Sequence, residues 1–523
     1  MLRLLSFLSA SFGLSSLAAA GSMAFFQNTG GSCPAHYTEW ASVPHAPFSA
    51  GPLRIPSMRP PPECRTFTSS AVETALSRIS AQISDPDIRQ LFANIMPNTL
   101  DTAIAWHNPG KNGTRDYPYT FVITGDINAQ WTRDSTNQLL PLLPYAAADA
   151  SLNALIAGLV NMQAEQIAAY PFANAFKPPK RSGLVPGENG WAKGDRVYPP
   201  FDLLTVFEAK FEIDSLAAFF KLSTAFWRQQ QKEPDRMLDM GVWRQAVTVA
   251  VELLAQLQEP TFDSALRLTE STVRFVRTAN TPTETSFGNG RGNPIRRTGM
   301  VRTLFRPSDD SVIFPFLVPA NAMLAVELRA LADMLDKTGD ATIAGRSRRL
   351  AEDITRGIYE FGTVEHSKYG KVFAYEVDGY GSHLLMDDAN VPSLLALPYL
   401  GFVEATDPIY LNTRRLVLSP DNPWYFSNGS FGSLSGIGSP HTGFRNVWPM
   451  SVAMQAMTSA DQQEIADKVH MLAALTSDLG LMHESVDIDS ANGHSYTRPW
   501  FAWCNGVVSE LITHTVAKYP GLL

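Results

Sequence analysis

Apolar residues recur at three- and four-residue intervals over segments 139–169, 213–228, 243–257, 320–335 and 461–475. That spacing lines one face of a 3.6-residue helix and predicts helices in all five segments. Alternation with a period of two is scarce. It is clearest at 119–123 and 371–375, which predicts two short strands. Six loops rich in Gly, Pro, Asp, Asn and Trp separate the helical segments, around Gly125, Pro186, Pro307, Asp388, Pro440 and Pro499. Their spacing suggests a repeated helical pair, without a sequence repeat of fixed period. Loops gathered at one end of a closed ring of helical pairs would build a polar, aromatic pocket from distant segments, a geometry suited to a sugar.

The first 65 residues follow a different pattern. Arg3 precedes an apolar run over 4–17, closed by Ala18, Ala19 and Ala20, so 1–20 reads as a secretory signal peptide. The run is shorter than the roughly 20 apolar residues of a membrane span, and no later stretch qualifies. The expectation is a secreted or lumenal protein with no stable membrane span, an uncleaved signal anchor being the alternative. Residues 21–65 are rich in Pro, Ser and Gly and predict an extended arm ahead of the main domain, 66–523. In an oxidising compartment Cys33 and Cys64 can staple this arm, leaving Cys504 alone in an aromatic segment. Asn112-Gly113-Thr114 and Asn428-Gly429-Ser430 are acceptor sequences of the kind secreted glycoproteins carry.

Composition narrows the function classes. With 45% hydrophobic and 18% charged residues among 523, the chain can bury a large core. The 42 basic and 50 acidic side chains leave a net charge of -8, which repels a phosphate backbone, and no Lys/Arg run offsets it. Nucleic acid is therefore not an expected partner. Oligomeric state leaves no mark in the sequence.

Three stretches carry chemistry. TGDINAQWTRDSTNQ places Asp126, Trp131, Arg133, Asp134 and Ser135 just before an apolar helix. Asp134 or Ser135 can cap that helix; alternatively Arg133 and Asp134 line a pocket and bind sugar hydroxyls, with Trp131 offering a flat face. FRPSDDSVIFPFLVPAN holds Arg306, Asp309 and Asp310 within five positions. Adjacent carboxylates repel, which raises one pKa where water is excluded, as a general acid requires. Ser308 and Asp309 also fit a helix N-cap.

GSPHTGFRNVWPM and GLMHESVDIDSANGHSYTRPWFAWCN bring His441, His483, Glu484, Arg498, Trp500 and Trp503 together in sequence. His483-Glu484 lacks the second histidine of the HExxH zinc pattern, so no metal site is indicated. Glu484, between Met482 and downstream tryptophans, reads as a partly buried carboxylate able to act as a base toward water. There is no GxSxG elbow, phosphate-binding glycine loop or zinc-type cysteine spacing, and no cofactor is expected. Two separated carboxylates remain, the pair on which glycoside hydrolysis depends.

In this order, TGDINAQWTRDS, FRPSDD, MDDANVPSLLALPYLG, GIGSPHTG, GLMHES and TRPWFAWCN, with VFEAKFEIDSL and YEVDGYG between them, resemble the exo-α-1,6-mannosidases of glycoside hydrolase family 125. The resemblance spans 126–505. It implies an all-α fold, an (α/α)6 barrel, over the catalytic domain 66–523. It also implies removal of single terminal mannose residues from a mannose-containing oligosaccharide or glycan, with inversion and without a metal. The general base falls on Glu484 and the general acid on Asp309 or Asp310. Arg133, Asp134, Arg306, Asp388, Asn390, His441 and Arg498 are the implied candidates for the sugar pocket. Thr132 and Cys504 depart from the family pattern but leave both carboxylates in place. The alternatives are an α-glucosidase on the same barrel and a catalytically silent carbohydrate-binding protein.

Overall fold

Twelve helices of eight residues or more order the chain in a computed structural model that describes residues 33–34, 36–111, 116–230, 237–430, 434–490 and 494–523. The signal expected at 1–20 and the acceptor at Asn112 lie outside these residues. In chain order the helices are α1 (Ser70–Ser80), α2 (Pro86–Ile95), α3 (Thr132–Leu139), α4 (Ala150–Ala169), α5 (Ile213–Gln229), α6 (Met240–Gln256), α7 (Val318–Thr338), α8 (Ala341–Phe361), α9 (Pro408–Val417), α10 (Pro449–Met457), α11 (Gln462–Ala474) and α12 (Ala502–Lys518).

Their apolar patterns sort them into two rings. In α7, Ala320, Ala322, Met323, Leu324, Ala325, Leu328 and Leu331 are buried, covering every side of the helix. Such a helix must be enclosed by others. In α8 the buried Ile343, Ala344, Leu350, Ala351, Ile354 and Ile358 form a single stripe, so one face meets the core and the other meets water. The inner ring runs α12, α3, α5 and α7, and closes through α10 back onto α12. A buried turn segment, 393–402, touches α7 where Gly401 faces Val326 and takes the remaining place in the ring. Helices α4, α6, α8, α9 and α11 each follow an inner segment in the chain, and α2 packs outside α12. This is the (α/α)6 barrel.

Because inner and outer segments alternate, the inner helices all start at the same end. The helix N-termini carry partial positive charge, and a ring of them favours carboxylates at that end. Short strands brace the entries. Gln130–Trp131 leads into α3 and pairs with Ala175–Phe176, which pairs with Val206–Glu208; Phe316–Leu317 leads into α7.

Four of the five predicted helices appear as α5, α6, α7 and α11, and the two predicted strands as Tyr119–Val122 and Gly370–Phe373. The fifth segment, 139–169, is not one helix. It divides into the end of α3, a 3-10 stretch Leu140–Ala148 and α4. Pro141 and Pro144 cannot supply the N–H groups of a continuous α-helix. Asp149 then starts α4 by accepting the N–H groups of Ser151 and Leu152 at 3.0 and 3.2 Å. The arm contains a short helix, Tyr37–Ala41, and a disulfide between Cys33 and Cys64. Tyr37 packs edge-on against Trp500, ring centroids 4.8 Å apart. Cys504 is a buried free thiol. Among the described residues no helix is long and apolar enough to cross a membrane.

Candidate active site

The entry loops enclose a narrow cleft at the N-terminal end of the inner ring. Trp131, Arg133 and Asp134 reach it from the start of α3, Ser308 and Asp309 from the loop before α7, and Asn390 from the loop before segment 393–402. His441 and Trp448 line it from the approach to α10, and Glu484, Arg498, Phe501 and Trp503 from the approach to α12. The Pro186 loop does not line the cleft; it touches the rim, where Asn128 donates to the Val185 carbonyl at 3.4 Å.

Neither capping alternative holds. Trp131 occupies the N-cap of α3 without a side-chain bond, and the Ser135 hydroxyl donates back to the Trp131 carbonyl at 2.7 Å. Ser308 and Asp309 lie well before α7, in a tight turn in which the Arg306 N–H donates to the Asp310 carbonyl at 2.7 Å. Within that turn Asp309 has a left-handed backbone (φ 62°), a conformation a non-glycine residue rarely adopts. The turn sends the two neighbouring carboxylates to different places. Asp309 faces the cleft and keeps 22% of its side chain exposed, whereas Asp310 is 2% exposed and sits behind it.

Asp309 Oδ1 accepts from Trp131 Nε1 at 3.1 Å and from Asn174 Nδ2 at 3.0 Å. Asp310 accepts from the Ser308 hydroxyl at 3.0 Å, and its Oδ1 lies 3.3 Å from His441 Nδ1. Burial opposes charge on His441, but Asp310, with Glu484 and Asp309 further off, outweighs it and raises the imidazole to about 10. His441 is thus a cation at the cleft wall.

In the same cleft Glu484 accepts from the Thr497 hydroxyl at 2.9 Å and from Arg498 at 3.4 Å. Arg498 is held in turn by Asp126, whose two oxygens both lie 3.0 Å from Nε, and its guanidinium covers the Phe501 ring. His483 does not reach the cleft. It stacks on Tyr496 at 4.0 Å, bonds the Arg498 carbonyl at 2.7 Å, and burial lowers it to about 4. A neutral imidazole there fixes the loop that carries Glu484 and Arg498.

Arg133 sits over Trp503 at 5.0 Å and gathers four carboxyl groups: Glu212 at 2.6 Å, Asp134 at 3.1 Å, Asp214 at 3.3 Å and Asp309 at 3.6 Å. Burial raises Asp134 to about 6 despite Arg133. Among the described residues no three His, Cys, Asp or Glu side chains converge as a metal site would.

Besides Asp310, two more sequence candidates stand behind the cleft instead of lining it. Arg306 donates to Glu376 at 2.6 Å, and Glu376 also takes the Ile313 and Phe314 N–H groups, so this pair ties down the Asp309 turn. A buried guanidinium needs a carboxylate partner, which draws Arg306 away from the ligand space. Asp388 is fully buried, accepting from Asn390 at 2.9 Å and Ser439 at 3.0 Å; it holds Asn390 in place at the wall. Asn174, Glu212 and the positioning contact of Asp126 escape sequence reasoning. VFEAKFEIDSL contains Glu212, but nothing in that string distinguishes it from an acidic first turn of α5, and Asn174 has no signal at all.

An (α/α)6 barrel that brings two carboxylates from different loops to one cleft has the pair of groups on which glycoside hydrolysis depends. Residues 85–513 match the family model of metal-independent alpha-mannosidases, GH125, and the chain belongs to glycoside hydrolase family 125. It is similar to the meiotically up-regulated gene 157 protein of Schizosaccharomyces pombe, 47% identical over 493 residues, 94% of each chain. Its fold matches a metal-independent alpha mannosidase from Streptococcus pneumoniae, solved in a non-productive complex with α-1,6-mannobiose. That match has a TM-score of 0.76 and 31% identity over 87% of this chain and all of the other.

Proposed function

We propose that this protein is an exo-α-1,6-mannosidase that removes terminal mannose from mannose-containing glycans with inversion, Asp309 acting as general acid and Glu484 as general base. The observation that carries this reading is one cleft, in a family 125 chain, lined by Asp309 from one loop and Glu484 from another. Asp309 protonates the departing glycosidic oxygen, and Glu484 takes a proton from the water that attacks the anomeric carbon. Arg498 steadies Glu484, and Trp131 steadies Asp309. The α-1,6 linkage is supported by the mannobiose bound to the Streptococcus pneumoniae relative.

The test is time-resolved proton NMR of the protein with α-1,6-mannobiose, with and without chelator. The expected first product is β-mannose, released at the same rate in both, and Glu484→Gln should abolish release. α-Mannose as first product would overturn inversion, and no release would overturn the α-1,6 assignment. We also propose a secreted or lumenal location, which the Cys33–Cys64 disulfide supports; a mature N-terminus near residue 21 is the expected result of sequencing the purified protein.

A further inference from the structure

Four carboxyl groups share the guanidinium of Arg133, with Asp134, Glu212 and Asp214 buried and Asp309 open to the cleft. Burial and mutual repulsion favour a proton on one of them, and most on a carboxyl with no exposed surface. One amide joins two of them. Asn174 Nδ2 donates to Glu212 Oε1 and to Asp309 Oδ1, both at 3.0 Å, and Arg133 reaches both carboxyls. Glu212 has no exposed side-chain surface, whereas Asp309 opens to the cleft. Of these two carboxyls only Asp309 can exchange a proton directly with the ligand space.

We propose that Glu212 is the proton partner of Asp309: the two carboxyls hold one proton between them, stored on Glu212 and delivered through Asp309 to the glycosidic oxygen. The proposal rests on Asp309 being the general acid. Glu212 touches no substrate atom and is a positioning residue that acts through Asp309. Burial, together with the charge of Asp309, raises Glu212 well above the usual carboxyl range. On Asp309 burial pulls upward, but Arg133, Glu212, Lys210 and His441 outweigh it and lower the group. Asp214 and Asp134 face the same guanidinium and complete the charged surroundings.

The cycle balances. When a glycosidic oxygen occupies the cleft, the Glu212 proton crosses to Asp309 and on to that oxygen. The bond from the anomeric carbon breaks with its electron pair going to the oxygen. The water oxygen bonds to the anomeric carbon and its proton goes to Glu484. Release of that proton to solvent and uptake of one onto the Asp309–Glu212 pair restores the starting state.

The test compares wild type with Glu212→Gln on α-1,6-mannobiose and on 2,4-dinitrophenyl α-mannoside, whose leaving group needs no proton. In Glu212→Gln, Asp309 must hold the proton alone. The alkaline limb of kcat/KM should move down by one pH unit or more, and kcat on mannobiose should fall about 100-fold, the scale of a lost general acid. The loss on the activated mannoside should be less than about tenfold, since only acid assistance is missing. If Glu212→Gln does not fold, Glu212→Asp keeps the charge and should show the same changes, reduced in size. Equal losses on both substrates with an unmoved alkaline limb would overturn the proposal alone. Wild type that cleaves neither substrate would overturn the mannosidase reading, and the proposal with it.

Discussion

His441 owes its charge to its neighbours. A free imidazole titrates near 6.5, and this one is raised to about 10 because Asp310, Glu484 and Asp309 outweigh its burial. A base whose folded pKa is raised stabilises the fold fully below its unfolded pKa and loses that contribution as pH rises toward the folded value. His441→Asn should therefore lower the unfolding midpoint most below about pH 6.5, with the gap to wild type closing toward pH 10. Thermal unfolding of both proteins across that range reads it; a constant gap would show that His441 contributes packing and not charge. At this scale the sequence indicated residue types but not directions. Asp309 and Asp310 are adjacent and chemically identical, and only the left-handed turn at Asp309 puts one in the cleft and the other behind it. Arg306 and Asp388 were legible as motif members, yet each is spent on a buried partner.

Element boundaries follow from competition between local signals. Segments 213–228, 243–257, 320–335 and 461–475 were readable because apolar spacing alone specifies an enclosed or half-enclosed helix. Segment 139–169 keeps the same spacing across its break, so periodicity concealed what Pro141, Pro144 and Asp149 impose. Asp149 accepts two N–H groups of α4 and the Ser69 hydroxyl at 2.6 Å, linking the starts of α4 and α1. Burial is the largest single influence and raises this carboxyl, but bonds from Ser151, Ser69 and the backbone together outweigh it and lower it to about 2. Asp149→Ala should cost about 1 kcal/mol of stability. For a lowered carboxyl the contribution is present above its unfolded pKa and is lost as pH falls through the folded value. The difference between the two proteins should thus be full at pH 7 and shrink between about pH 4 and pH 2, as denaturant titrations at several pH values would reveal.

Across the whole molecule, the arm is tied to the catalytic end. The Cys33–Cys64 disulfide closes a separation of 31 residues around Tyr37, which packs against Trp500, itself beneath Gly125 of the first entry loop. Closing a loop of that length restricts the unfolded chain, so Cys33→Ser with Cys64→Ser should lower stability by about 3 to 4 kcal/mol. Denaturant unfolding under non-reducing conditions measures this, and an unshifted midpoint would mean that the arm contributes nothing to the barrel's stability. Trp500 and Arg498 are two residues apart, so loosening the arm also loosens the wall that holds Glu484.

By itself the sequence determined the helical class, the six loop positions, the family and the general base candidate, because periodicity and ordered motifs are properties of neighbouring residues along a chain. Only the tertiary structure decided which carboxylate faces the cleft, which charged residues are consumed in buried pairs, and that Glu212 and Asn174 stand beside Asp309. Those outcomes depend on distances between residues as far apart as Trp131 and Asp309, 178 positions, fixed by closure of the inner ring and by the requirement that each buried charge find a partner.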